Sequence, residues 1–128
     1  MSKPYFKSSI YVNLLKLRRL LYTAKYYMSK ANRNDIGSLL MKHSGKSIEC
    51  FVFAFTTKDK NVRASKVNEL AGYYSVLRCD IDFCLECNLI NFPKRSDGKV
   101  AAAKIEILEI IGKIGNDIEK WQNYVNNP

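Results

Sequence analysis

The chain is poor in the residues from which catalytic and metal centres are built. His43 is the only histidine among 128 residues, so a zinc site that uses imidazole, or a di-iron bundle with two Glu-x-x-His sets, lacks ligands. There is no glycine-rich phosphate loop, no Gly-x-Ser-x-Gly turn and no His-Glu-x-x-His segment, which removes the common phosphate-transfer, hydrolase and metalloprotease signatures. Apolar runs fall short of the roughly 18 residues a membrane helix needs. The N-terminal stretch around Pro4 and Lys7 has no signal-peptide core either, so a cytoplasmic protein without membrane contact is expected. Four cysteines, Cys50, Cys79, Cys84 and Cys87, are expected as reduced thiols in that compartment. The last three match a C-x4-C-x2-C iron–sulfur spacing. They fall within a continuous helical pattern, however, where five residues turn Cys79 about 140° from Cys84. Core or interface cysteines are therefore expected, with no metal, no cofactor and no catalysis.

Acidic residues are scarce in one half only. Residues 1–66 hold 14 Lys and Arg against Asp35, Glu49 and Asp59, a balance of 14 − 3 = +11; residues 67–128 hold 7 against 9, or −2, and the two sum to the overall +9. A surplus that segregates in this way points to a polyanionic partner for the first half.

Apolar periodicity predicts a single all-α domain over residues 1–128, with helices at about 9–31, 35–55, 64–89 and 97–124 joined by short connections. This is an antiparallel up-down-up-down four-helix bundle. In the first helix, Ile10, Leu14, Leu17, Leu21, Ala24 and Met28 recur at steps of four and three and form a core face. Asn34 or Asp35 is placed to cap the second helix, whose inner face reads Ile36, Leu40, His43, Ser47, Ile48, Phe51 and Ala54. Phe51 to Phe55 has strand propensity but no partner segment, so it is read as helix. The connection from Thr56 to Arg63 is read as a solvated basic loop. Val67, Leu70, Tyr74, Leu77, Ile81, Cys84 and Asn88 form the seam of the third helix. Pro93 ends the following segment, and Ser96 or Asp97 can cap the fourth helix. That helix carries Val100, Ile107, Ile111, Ile114, Ile118, Trp121 and Val125, widened by Ile105, Leu108 and Ile110, and frays after Tyr124. Gly112 and Gly115 weaken it, which suggests close helix approach there.

Two further stripes have no use in a monomer. Val12, Leu15, Tyr22 and Tyr26 point away from the core face of the first helix; Val76, Cys79 and Phe83 do so on the third, among Asp80, Asp82 and Glu86. One stripe is basic and the other acidic, so each complements the other rather than itself. Such a heterologous contact closes into a ring when its rotation permits. Lys16, Arg18, Arg19, Lys25, Lys30 and Arg33, with Lys42 and Lys46, concentrate the charge and are the expected nucleic-acid contacts, largely to phosphate. RNA and DNA are both open as partners. An acidic protein met by an adaptor bundle is the other reading.

The chain resembles the accessory variability determinant proteins of diversity-generating retroelements, within the four-helix-bundle family that includes the rRNA intervening-sequence proteins. The resemblance is carried by the leucine-rich Leu14 to Leu21, Arg33-Asn34-Asp35-Ile36-Gly37, Leu70 through Ile90, and Glu109-Ile110-Ile111-Gly112-Lys113-Ile114-Gly115 followed by Trp121. It spans roughly residues 9–121 and departs from the family pattern where Asn116 to Lys120 separate Gly115 from Trp121. It implies a basic homopentameric barrel that binds nucleic acid, partners the element's reverse transcriptase and supports mutagenic cDNA synthesis and retrohoming. The intervening-sequence branch implies the same fold as an assembly or adaptor module.

Overall fold

The computed structural model describes residues 4–92 and 99–127, with side chains from residue 103 onward in the last helix. After a 3-10 turn at Tyr5–Lys7, the elements are α1 (Ser9–Tyr26), α2 (Lys30–Asn34), α3 (Ile36–Thr56), α4 (Lys60–Glu86) and α5 (Lys99–Asn126). Among the described residues there is no strand. Phe51 to Phe55 lies inside α3, as expected. Four long helices form the bundle. α1 packs on α3 and α5, and α4 packs on the same two helices from the other side, so α1 and α4 occupy diagonal corners. Each neighbouring pair is antiparallel. Lys16 meets Glu106 while Ser9 meets Asp117, and Tyr74 meets Ile111 while Asn68 meets Gln122.

The expected core faces are buried with exceptions on α5: Ile110 is buried, but Ile105 and Leu108, expected to widen that face, are 55% and 50% exposed, and Trp121 and Val125 are half-buried. Ile10, Leu14, Leu17, Leu21, Ala24 and Met28 meet Leu40, Phe51, Leu70, Leu77 and Ile81, and Ile107, Ile111, Ile114 and Ile118 close the other side. Truncating one such leucine to alanine costs about 2–5 kcal/mol. At one end Trp121 is half-buried, with Phe51 at 5.6 Å and Phe55 at 6.5 Å between ring centroids. That contact anchors the end of α5, and the helix continues to Asn126 instead of fraying after Tyr124.

Most differences from the expected boundaries have local causes. The first helix does not run to residue 31. It tightens at Tyr27 and Met28, whose N–H groups bond to Ala24 and Lys25 carbonyls at 3.2 and 3.0 Å, and Ser29 then caps α2 by accepting from the Asn32 N–H at 3.3 Å. Met28 still reaches the core. Asp35 stands at the cap position of α3, but its side chain accepts no capping bond; its carbonyl accepts from Ser38 and Leu39. The loop expected at Thr56 to Arg63 shrinks to residues 57–59. Asp59 caps α4 four residues earlier than expected, its Oδ1 accepting from Asn61 and Val62 at 2.9 and 3.1 Å. Arg63 is half-buried: it folds back onto the end of α3, its Nε donating to the Ala54 carbonyl at 3.1 Å and its Nη2 to that of Thr57.

Asn88 does not extend the α4 seam. It is exposed and left-handed at φ 56°, and Leu89 N–H bonds back to the Cys84 carbonyl at 2.7 Å while Asn88 N–H reaches Leu85 at 3.2 Å. This is a Schellman stop, and asparagine is among the few side chains that tolerate it. On α3, Ser44 and Cys50 join the buried face, and His43 and Ile48 are only half-buried. Gly112 and Gly115 are not sites of close helix approach. A Cβ at Gly112 would meet nothing within 4 Å, and one at Gly115 would stand 3.7 Å from Tyr74. Close approach occurs at Gly37, where a Cβ would stand 2.8 Å from Lys25 Cγ and 3.3 Å from the Asn32 carbonyl. The turn residues Pro93 to Gly98, with their caps Ser96 and Asp97, and the side chain of Val100 lie outside the described residues.

Candidate nucleic-acid interface

α1 contains no carboxylate at all, and α3 contains only Glu49. The cations of the first half therefore meet little compensation on their own helices. Arg19 is exposed on the outer line of α1, Lys30 and Arg33 are exposed on α2, and Lys42 is exposed on α3. Lys25 is half-buried, its stem lying over Gly37. Among the described residues none of these five makes an ion pair.

The remaining expected contacts are engaged within the chain. Lys16 turns towards α5, with its Nζ 3.5 Å from Glu106 Oε1, and Lys46 sits 3.4 Å from Glu49. Both pairs are solvent-exposed, and such pairs contribute about 0–1 kcal/mol, so either lysine is released at small cost. Arg18 is held more firmly. Its Nε donates to Ser44 Oγ at 3.2 Å and its Nη2 to the Met41 carbonyl at 3.5 Å, across the groove between α1 and α3. Gly45 leaves room for the guanidinium, since a Cβ there would stand 3.4 Å from Nη2. Helical periodicity places Arg18 on this side of α1; its acceptors belong to another helix and are invisible to periodicity.

The apolar stripes are outside the core. Val12, Tyr22 and Tyr26 are exposed on α1 and Leu15 is half-buried; Val76, Cys79 and Phe83 are exposed on α4. Because α1 and α4 are diagonal, the two stripes point to opposite sides of the molecule. Two members of the α4 surface were not apparent from the sequence. Leu39 and Phe53 on α3 are also exposed, and the α3–α4 packing brings them to the same side as Val76 and Phe83, with Lys66 Nζ 4.9 Å above the Phe53 ring. The apolar–charged alternation of α3 was the available signal.

Asp80, expected among the outward acids of α4, is instead half-buried and accepts from His43 Nδ1 at 2.5 Å. Cys50 and Cys84 are buried, whereas Cys79 and Cys87 are exposed. Burial, with help from Asp80 and Cys87, pushes the Cys84 thiol up to about 11. The same desolvation raises the Cys50 thiol and the Tyr74 phenol. Among the described residues no cluster of His, Cys, Asp and Glu has the geometry of a metal site, and no helix is long and apolar enough to cross a membrane.

No protein-family model, curated protein or solved structure matches the chain.

Proposed function

We propose that the protein is a nucleic-acid-binding accessory protein, assembled as a homo-oligomeric ring, that partners the reverse transcriptase of a diversity-generating retroelement and supports mutagenic cDNA synthesis. The observation that carries the binding reading is the set of cations on α1, α2 and α3 with no ion-pair partner among the described residues. These are Arg19, Lys25, Lys30, Arg33 and Lys42, and α1 itself carries no carboxylate. Such a surface suits phosphate, whose condensed counterions are released on contact. The resemblance to the accessory variability determinants supplies the reverse-transcriptase partner and the pentameric ring size. The diagonal placement of Val12 and Tyr26 against Val76, Cys79 and Phe83 supports a head-to-tail contact, since a two-fold contact needs one patch that complements itself. The role is binding and assembly rather than catalysis.

A salt titration of RNA and DNA affinity tests the reading. Affinity should fall steeply with salt. Replacing Lys30 and Lys42 together by Glu should weaken unrelated sequences about equally and flatten the log–log slope by roughly 1.5 for two lost contacts. These positions suit charge reversal better than Arg18, which is bonded to α3. A flat salt response in the wild type would overturn the reading. It would favour the second one, in which an intervening-sequence-type bundle acts as an adaptor for an acidic protein; the exposed Leu39, Phe53, Val76 and Phe83 favour that alternative.

A further inference from the structure

Leu15, Arg18, Arg19, Tyr22 and Met41 line an open groove of about 470 Å³ between α1 and α3. Its two cations are held differently. Arg18 is fixed by Ser44 and the Met41 carbonyl. Ser44 is itself buried and donates to the Met41 carbonyl at 3.2 Å, so the anchor is part of the helix packing. Arg18 is otherwise exposed, so a guanidinium bonded at this edge leaves its plane open to a ligand. Arg19 is exposed at the rim. Tyr22 is 64% exposed, and among the described residues no aromatic ring packs on it, whereas Tyr26 and Tyr27 pair edge-to-face at 5.1 Å. Leu15 and Met41 supply an apolar floor. No carboxylate lines the groove.

A ring with a free face, a guanidinium bonded to α3, an apolar floor and an exposed cation together match one unpaired base and its phosphate. Bases stack on tyrosine and on guanidinium planes, and the second cation meets the backbone. A base inside a duplex is stacked on both faces already and cannot enter. We propose that this groove takes an unpaired nucleotide, so that the protein prefers single-stranded nucleic acid over duplex. The inference rests on the nucleic-acid reading above and adds the strand state of the ligand. Tyr22 then serves the strand, and the subunit contact on α1 falls to Val12 and Tyr26.

Fluorescence anisotropy with a labelled oligothymidylate, and with a mixed-sequence duplex of equal length at the same salt, tests this on the intact protein. Tyr22→Leu keeps apolar bulk at an exposed position and removes the ring; Lys42→Gln removes one charge outside the groove. The wild type should bind the single strand more tightly. Tyr22→Leu should weaken single-strand binding at least about fivefold and leave duplex binding within about twofold, and Lys42→Gln should weaken both alike. Arg18→Lys, which keeps the charge and loses the plane, should behave like Tyr22→Leu. If the wild type binds both ligands with steep salt dependence but Tyr22→Leu affects neither or both equally, the groove is not a base site, while the nucleic-acid reading stands. A drop in solution mass for Tyr22→Leu would also overturn the inference by returning Tyr22 to the subunit contact. If the wild type binds neither ligand, both readings fail.

Discussion

His43 on α3 and Asp80 on α4 meet at 2.5 Å through Nδ1 and Oδ2, each with its side chain only 14% exposed. The bond ties the two helices at a fixed register, and removing one partner leaves the other's polar atoms poorly hydrated, a loss of about 1–3 kcal/mol. Asp80→Ala should therefore lower the urea midpoint. In a double-mutant cycle with His43→Ala, the two losses should fall short of additivity by more than about 0.5 kcal/mol. Strict additivity would show that the pair contributes nothing of its own.

Tyr74 crosses from α4 to α5, and its buried hydroxyl donates to the Ile111 carbonyl at 2.5 Å. Burial raises this phenol above its ordinary value of 10.0, and raises the Cys84 thiol from 9.0 to about 11. Groups raised in the fold ionise first in the unfolded chain. Their contribution is complete below the unfolded values and is lost as pH climbs through the folded ones. Stability should thus be level near neutrality and fall from about pH 9 upward. Urea unfolding from pH 7 to 11 checks this. Tyr74→Phe should cost about 1 kcal/mol at pH 7 and show a shallower decline above pH 10.

The glycines should separate by their surroundings. Gly112 is exposed in mid-helix with nothing near its missing side chain, so Gly112→Ala should stabilise the protein by about 0.5–1 kcal/mol. Gly37→Ala should destabilise it, because the new methyl group meets Lys25 Cγ and the Asn32 carbonyl. Thermal melts of both variants check the pair. Destabilisation by Gly112→Ala would mean that this face of α5 is covered by another chain.

Light scattering checks the proposed ring. Phe83→Asp and Tyr26→Asp alter exposed positions on diagonal helices, so neither should disturb the core. Each alone should reduce the solution mass, because every heterologous contact uses both faces. Wild-type mass in both variants would remove these stripes from the interface.

The four long helices and most of their core faces were legible in the chain, because a buried stripe must recur at the helical period wherever it packs. The seam from Val67 to Cys84 and the face from Ile10 to Met28 needed no knowledge of their neighbours. Charge segregation was equally plain, being a property of composition. Helix ends were less so. The break at Tyr27, the early start at Asp59 and the stop at Asn88 depend on which backbone group finds a partner within a turn. Several residue types at each site compete for that role. Tertiary structure alone decided what the polar residues do. Asp80 looks like any outward acid until α3 brings His43 to it, Arg18 looks like its neighbour Arg19 until Ser44 and the Met41 carbonyl accept from it, and Gly37 looks like a weak point until Lys25 crosses it. Each of these contacts joins residues distant in the chain through a short directional bond or a close approach. Periodicity specifies which face turns inward; it carries no information about the axial register of two helices, and that register determines which side chains meet.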